Sequence, residues 1–164
     1  MYYFAYGSNM DWTQMQSRCP SSRFVSIGRL IDYQFGILRH SRLRDCGTAN
    51  VYSNPGTVVW GILYDVDEPD LAVLDAFEDG YRRETLPVLT PTENNERFYA
   101  LVYVATVELD VPRPNPEYKR LMVEGARYWG LPANYLNMLQ AIETAADVGQ
   151  SPVSSVARPR PGGK

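Results

Sequence analysis

Residues 58–78 read VVWGILYDVDEPDLAVLDAFE, and they combine two local patterns on which the interpretation of the whole chain depends. Residues 58–66 are rich in β-branched and aromatic side chains, which predicts a strand. Asp67-Glu68-Pro69 then puts a proline in the first turn of a helix that ends at Phe77, and Gly80 stands just past that end. The stretch therefore predicts a strand that runs directly into a short helix.

Further strand-like stretches lie on both sides of this unit. They cover residues 24–30, 33–38 and 49–53 before it, and residues 82–89 and 98–107 after it. Asn54-Pro55-Gly56 is typical of a tight turn, so residues 49–53 and 58–66 are predicted to form a hairpin. Many short strands with short connections indicate an α+β protein, in which a small antiparallel or mixed β-barrel carries flanking α-helices.

The two ends of the chain complete the predicted domain. An aromatic strand over residues 4–6 ends at Gly7-Ser8-Asn9, and a helix is expected over residues 10–18, capped by Ser8 or Asn9. Helices are also expected over residues 117–129 and around an apolar stripe of Leu136, Leu139 and Ile142. From residue 149 onward no periodicity is visible. We expect one domain over residues 1–148 and a flexible C-terminal tail over residues 149–164.

Composition excludes several classes of function. A net charge of −3 argues against nucleic acid and against an anionic membrane surface as partners. No apolar run approaches the ~20 residues of a membrane-spanning helix, and the start does not resemble a secretory signal, so a cytoplasmic location is expected. Cys19, Cys46 and His40 lack the spacing of a zinc site. We expect two buried thiols and a polar histidine at a strand end.

Glu78 is the first candidate for chemistry. Leu71, Leu74 and Glu78 are three and four residues apart, so a helix puts them on one face, and the two leucines indicate that this face points inward. Burial and the C-terminal end of the helix dipole both raise the pKa of a carboxyl group towards neutrality, where it can accept and donate protons. The alternative is an ordinary glutamate that pairs with Arg82 or Arg83, and the helix alone favours this alternative.

The bend Tyr6-Gly7-Ser8-Asn9 is the second candidate. A strand that runs through a Gly-Ser turn into a helix presents backbone N–H groups, which suit a bound carboxylate. The alternative is an ordinary turn with a good helix cap. Ser8 does not lie in the Gly-x-Ser-x-Gly motif of a hydrolase nucleophile. A serine or cysteine hydrolase that uses Ser8 or Cys46 is therefore only a remote alternative.

Several ordered motifs together resemble the γ-glutamylcyclotransferase family, which includes the AIG2-like proteins. The opening Tyr3-Phe4-Ala5-Tyr6-Gly7-Ser8-Asn9-Met10 resembles the family signature, and Val59-Trp60-Gly61-Ile62-Leu63-Tyr64 resembles its Trp-Gly strand. Leu74-Asp75-Ala76-Phe77-Glu78 resembles the segment that carries the family's catalytic glutamate. Pro114-Asn115-Pro116-Glu117-Tyr118-Lys119 and Gly130-Leu131-Pro132 resemble the C-terminal part of the vertebrate enzymes. The resemblance extends over residues 3–143.

The resemblance implies an activity, a site and a fold. The activity is the release of 5-oxoproline from γ-glutamyl compounds by ring closure, without metal or other cofactor, as part of glutathione metabolism. Glu78 would be the general acid and base. The fold would be a small β-barrel with flanking helices. The implied substrate-binding residues are Tyr3, Phe4, Ala5, Tyr6, Gly7, Ser8, Asn9, Tyr81 and Tyr118.

Four questions stay open at this point. The family usually has glycine directly after its glutamate and a longer link to the next strand, whereas here Asp79 and Gly80 are followed at once by Tyr81, and this shortened link leaves open the role of Tyr81 and the shape of the mouth of the site. The substrate is a small γ-glutamyl compound, and its leaving part is an amino acid or, alternatively, an amine or a γ-glutamyl-protected biosynthetic intermediate. A non-catalytic small-molecule-binding module is the alternative from another class. A homodimer is left open by the many aromatic residues.

Overall fold

The computed structural model describes residues 1–146, which form a closed five-stranded barrel with helices on its outside. The order of strands around the barrel is β1-β3-β2-β4-β5. β1 pairs with β5 in parallel, and the other neighbours are antiparallel. The predicted α+β class and mixed barrel are therefore confirmed, whereas the predicted tail, residues 149–164, lies outside the described residues. The strands are β1 (Tyr2–Ala5), β2 (Arg23–Ser41), β3 (Cys46–Asp65), β4 (Tyr81–Leu89) and β5 (Arg97–Ala105).

Within residues 1–146, four α-helices and one short 3₁₀ turn surround the barrel. The 3₁₀ turn covers Ser8–Met10 and leads into α1, which begins after Asp11. Asp11 is itself the N-cap, because its carboxylate accepts a hydrogen bond from the Gln14 N–H, so the prediction of Ser8 or Asn9 as the cap is wrong. The helices are α1 (Trp12–Arg18), α2 (Glu68–Phe77), α3 (Pro116–Trp129) and α4 (Ala133–Gln140).

The predicted hairpin turn at Asn54-Pro55-Gly56 is wrong. These residues lie inside β3, which pairs with β2, a strand one residue shorter, on both sides of the irregularity. Ile31 pairs with Val58, and Tyr33 pairs with Ser53. The two segments predicted to pair with each other are consecutive parts of one strand.

A bulge in both strands explains this register. Four residues of β3, residues 54–57, lie opposite the single residue Asp32 of β2. Asp32 and Gly56 both have positive φ angles, of 60° and 84°, and the Gly56 N–H donates to Asp32 Oδ1 at 2.8 Å. The turn-forming residues therefore bend a strand without reversing it.

The interior of the barrel is closed around Phe4, whose side chain is fully buried. Its ring lies against Gly28 of β2 and Gly61 of β3, where an added Cβ would come within 3.1 Å and 2.8 Å of ring atoms. The glycine of the Trp60-Gly61 pair thus permits a close approach between strand and ring. Phe4 belongs to the core of the barrel.

Helix α3 packs directly on the bend that follows β1. At Gly125 an added Cβ would lie 2.4 Å from the carbonyl carbon of Met10, so only glycine allows this contact. The Trp129 indole N–H donates to the Met10 carbonyl at 3.0 Å. The bend is therefore held between the barrel and α3, which gives the residues 7–10 a defined place.

Candidate active site

One cavity lies between the bend after β1 and the end of α2, and it encloses about 480 Å³ including its mouth. Its lining contains a single carboxyl group, that of Glu78, and two guanidinium groups. The remaining residues are mostly tyrosines and small polar side chains. The lining residues are Tyr3, Tyr6, Gly7, Ser8, Asn9, Arg18, Ser41, Arg44, Thr48, Ala49, Phe77, Glu78, Tyr81, Tyr103 and Tyr118.

Glu78 occupies the C-cap position of α2, one residue beyond the helix. Leu71 and Leu74 are fully buried on the inner face of the helix, and the carboxyl group continues along that face into the cavity. Oε1 of Glu78 accepts a long hydrogen bond of 3.4 Å from the Asn9 amide. Helical spacing therefore directs this side chain inward, as the sequence indicates.

The surface ion pair considered as an alternative for Glu78 is not formed. Arg82 pairs with Glu84. Arg83 pairs with Asp75 at 2.7 Å and also donates to the Leu71 carbonyl. Both arginines are thus engaged elsewhere, and the Glu78 carboxyl remains available to the cavity.

Burial raises the pKa of Glu78 to about 7. Desolvation of the charged form is the largest cause, and Arg18 and Arg44 oppose it by attracting the carboxylate. Asp75 adds a smaller repulsion in the same direction as burial. The residue keeps some solvent exposure because it faces the cavity. A carboxyl group that titrates near neutral pH can take up a proton and release it again.

The bend offers donors on the opposite side of the cavity. The N–H groups of Met10 and Asp11 donate to the carbonyls of Gly7 and Ser8. The earlier N–H groups, those of Ser8 and Asn9, have no acceptor within the turn because they precede its first hydrogen bond. Such donors suit an anion.

Asn9 connects the bend to Glu78. Its amide nitrogen donates to the Tyr3 hydroxyl at 2.9 Å as well as to Glu78. Its amide oxygen accepts from Gln14 at 3.0 Å and from Arg18 at 2.9 Å. Every polar atom of the Asn9 side chain therefore has a partner, which fixes its orientation beside the carboxyl.

Three tyrosines are held in place by backbone contacts in the wall of the cavity. The Tyr118 hydroxyl accepts from the Ala49 N–H at 2.9 Å, and the Tyr81 hydroxyl donates to the Ala49 carbonyl at 2.5 Å. Tyr6 donates to the Tyr103 carbonyl. Burial raises the pKa of Tyr6, Tyr81 and Tyr118, so all three phenols are neutral at physiological pH.

A model of the family described as gamma-glutamyl cyclotransferase, AIG2-like, matches residues 3–129. The chain belongs to this family. It is 33% identical to a gamma-glutamylcyclotransferase of Bos taurus over 147 residues, with 86% of this chain and 78% of the relative covered. For the Homo sapiens gamma-glutamylcyclotransferase the identity is 32% over 148 residues, with the same coverage. A solved structure of a gamma-glutamyl cyclotransferase has a TM-score of 0.79 at 30% identity, covering 88% of both chains. The predicted family and fold are confirmed.

Within this gamma-glutamyl cyclotransferase fold, most residues predicted for the site meet at one cavity. Phe4 and Ala5 do not line it, because Phe4 fills the barrel interior and Ala5 is buried in β1 with its carbonyl against Gly61. The predicted residues that do line it are Tyr3, Tyr6, Gly7, Ser8, Asn9, Glu78, Tyr81 and Tyr118.

The altered link after Glu78 is a tight turn. Gly80 has a φ of 79°, and the Tyr81 N–H donates back to the Glu78 carbonyl at 3.0 Å. β4 begins at Tyr81, whose side chain enters the cavity wall. This short turn therefore places Tyr81 close to Glu78.

Two cationic residues of the cavity, Arg18 and Arg44, are not among the residues predicted from the sequence. A signal existed for Arg18, because Gln14 and Arg18 are four residues apart on one face of α1 and both donate to Asn9. No signal distinguished Arg44 from Arg39 and Arg42 nearby. Of these three arginines, Arg44 alone lines the cavity.

Cys19, Cys46 and His40 are not among the residues that line the cavity. Cys19 and Cys46 are free and buried, as predicted, and His40 lies in β2 one residue before its end. Among residues 1–146, no three His, Cys, Asp or Glu side chains are grouped so that they could hold a metal ion. Within the same range, none of the helices combines the length and apolar character needed to cross a bilayer.

Proposed function

We propose that this protein is a γ-glutamylcyclotransferase that closes the γ-glutamyl group into 5-oxoproline and releases the amine attached to it. The observation that carries this proposal is the meeting of Glu78, with a pKa of about 7, and the amide-rich bend of residues 7–9 in one cavity. The prediction of an enzyme of this type is supported by the named relatives at 32% and 33% identity.

The reaction needs no external nucleophile. The α-amine of the γ-glutamyl group attacks its own γ-carbonyl carbon, and a folded substrate makes this attack intramolecular. Glu78, as the carboxylate, accepts the proton that the α-ammonium must lose. The N–H groups of Ser8 and Asn9 suit the negative charge of the bound substrate.

Collapse of the tetrahedral intermediate completes the ring. The new bond joins the α-nitrogen to the γ-carbon, and the bond that breaks joins the γ-carbon to the leaving nitrogen. The α-nitrogen loses two protons in all, the first from the ammonium and the second as the ring amide forms. Glu78 carries the first to the leaving nitrogen, and the second passes to solvent, from which the released amine takes up a proton to become an ammonium ion. The carboxylate is thereby regenerated, and no proton is gained or lost overall. A pKa near 7 suits a group that serves in both transfers.

A γ-glutamylamine or a γ-glutamyl-protected intermediate is the alternative substrate, and the leaving part decides between these options. A non-catalytic binding module is less well supported, because binding alone gives no reason to keep a desolvated carboxyl group at the cavity. The cytoplasmic location, the place in glutathione metabolism, the domain limit at residue 148 and a homodimer stay predictions.

Release of 5-oxoproline from a panel of substrates tests the proposal. Purified protein is incubated with γ-glutamyl-alanine, with other γ-glutamyl amino acids and with γ-glutamylamines, and the product is quantified by chromatography. We expect 5-oxoproline and the free amine in equal amounts from at least one class. Absence of 5-oxoproline from all of them would refute the proposed function.

A further inference from the structure

Arg44 lies on the loop of residues 42–45 between β2 and β3, and no part of the proposed reaction uses it. Its guanidinium is half-buried and lines the cavity. The backbone of this residue is anchored on both sides, since its N–H donates to the Ser41 hydroxyl at 3.3 Å and its carbonyl accepts from the Asn115 amide at 3.5 Å. The loop is thus held against the start of α3.

The guanidinium is fixed in place by neutral partners. Nη2 donates to Ser8 Oγ at 3.3 Å and to Gln14 Oε1 at 2.9 Å. The group also lies over the Tyr118 ring, with Cζ 5.0 Å from the ring centroid. These contacts use one of the three nitrogens. The donors on Nε and Nη1, three of the five N–H groups of an arginine, remain available to a ligand.

No carboxylate of the described residues pairs with Arg44. The same is true of Arg18, so the cavity contains two guanidinium groups and a single carboxyl group. Half-buried guanidinium groups are normally paired, and the other arginines that form ion pairs in residues 1–146 do so at the surface or at its edge. Those arginines are Arg23, Arg39, Arg82, Arg83, Arg113 and Arg120.

The two cations contact neighbouring residues of the bend, Arg18 the Asn9 side chain and Arg44 the Ser8 side chain. Arg18 donates to Asn9, which in turn donates to Glu78, so Arg18 is linked through Asn9 to the carboxyl that accepts the proton of the α-ammonium. Arg44 donates to the side chain of Ser8, whose backbone N–H has no acceptor within the turn and therefore suits an anion. The α-ammonium and the α-carboxylate are attached to one carbon, so the carboxylate falls beside Ser8 when the ammonium is beside Glu78.

We propose that Arg44 is a substrate-binding residue that pairs with the α-carboxylate of the γ-glutamyl group, next to the bend. This inference rests on the proposed function, because it names the group that the cyclotransferase site recognises. A planar guanidinium already held by Ser8, Gln14 and Tyr118 loses little freedom when it binds a carboxylate. The loop of residues 42–45 is therefore part of the site.

Three compounds that differ only in their carboxylates show which carboxylate Arg44 binds. γ-Glutamyl-alanine carries both an α-carboxylate and a carboxylate on the leaving part. γ-Glutamyl-ethylamine lacks only the leaving-group carboxylate, and 4-aminobutyryl-alanine lacks only the α-carboxylate. Their dissociation constants are measured by calorimetry in a Glu78→Gln background, in which turnover does not interfere, with Arg44 intact and with Arg44→Gln. Arg42→Gln is the control, because Arg42 lies exposed on the same loop outside the cavity.

We expect Arg44→Gln to raise the dissociation constants of both γ-glutamyl compounds by about 10- to 100-fold, as for the loss of a charge-assisted hydrogen bond. The dissociation constant of 4-aminobutyryl-alanine should change by less than about 3-fold. Arg42→Gln should leave all three unchanged. The assignment would be overturned if all three compounds lost affinity equally, if only the two alanine compounds lost affinity, or if no compound lost affinity. Unfolding curves of each variant check that the fold is intact. If the wild-type protein releases no 5-oxoproline while this binding pattern is found, the reaction is refuted and the role of Arg44 stands.

Discussion

Replacing Glu78 with glutamine removes a carboxyl group that the folded protein keeps largely out of water, so we expect the variant to be more stable at alkaline pH. Folding raises the pKa of this group from 4.5 to about 7. Each unit by which folding raises the pKa lowers the stability of the protein with ionised Glu78 by about 1.4 kcal/mol, so the whole shift lowers it by about 3 kcal/mol. A neutral amide of nearly the same shape avoids this cost.

The sign follows from proton binding. Between pH 4.5 and about 7 the unfolded chain has lost the Glu78 proton and the folded protein keeps it, so the folded state binds more protons. The contribution of Glu78 to the stability of the wild-type protein therefore falls as the pH rises through this window. Above the window this contribution no longer changes with pH. The advantage of Glu78→Gln should be absent below pH 4.5 and complete above pH 7.

Urea unfolding followed by circular dichroism at pH 4.5 and pH 8 measures this difference. At pH 8 we expect Glu78→Gln to exceed the wild type by up to about 3 kcal/mol in unfolding free energy, with little difference at pH 4.5. Glu124→Gln, at an exposed position of α3 that pairs with Arg120, is the control. A Glu78→Gln variant that is less stable than the wild type at pH 8, or a difference independent of pH, would show that the carboxyl is not desolvated.

Three further predictions follow from the geometry of the cavity. The kcat/KM of the wild-type enzyme should rise as the pH passes about 7. Because Arg18 lowers the pKa of Glu78, Arg18→Gln should shift this rise to higher pH, and an unshifted pH–rate profile would contradict the prediction. Tyr118→Phe leaves the buried Ala49 N–H without its acceptor, so it should lower the unfolding free energy by about 1–3 kcal/mol and also raise the KM, and unchanged values of both would exclude the contact. Gly125→Ala should push α3 away from the bend, costing about 1–3 kcal/mol of stability together with activity, whereas an unaltered denaturation curve would refute the close packing.

The bounds and the buried face of α2 could be predicted from the sequence because local sequence preferences and tertiary packing agree there. Proline near the start, Gly80 after the end and the spacing of Leu71 and Leu74 all indicate one helix with one inner face. The inward direction of Glu78 follows from that spacing. Local agreement of this kind also made the barrel class predictable from the many short apolar stretches.

The segment Asn54-Pro55-Gly56 could not be predicted correctly because local and tertiary preferences differ there. Its composition is typical of a chain reversal, but pairing of β3 with β2 on both sides keeps the strand going. Asp32 accepts the Gly56 N–H and turns the segment into a bulge. A residue 24 positions away, which no local pattern indicates, thus decides the outcome.

The cationic part of the site was also beyond prediction. Arg44 is one of several arginines in a short polar segment, and its neighbour Arg42 is exposed. Only the closure of the barrel and the packing of α3 bring the loop of residues 42–45 to Ser8. Catalytic carboxyl groups on regular helices leave a periodic trace in the sequence, whereas ligand-binding side chains on loops do not.

The rate of 5-oxoproline release by Glu78→Gln, compared with the wild type at saturating γ-glutamyl-alanine, tests most directly whether this carboxyl transfers the protons. Binding of γ-glutamyl-alanine to the variant is verified by calorimetry in the same preparation. We expect the variant to bind the dipeptide and to release no 5-oxoproline above the uncatalysed background, while the wild type releases it with alanine in equal amounts. Wild-type rates in a variant that binds normally would show that Glu78 is not the acid and base of the reaction.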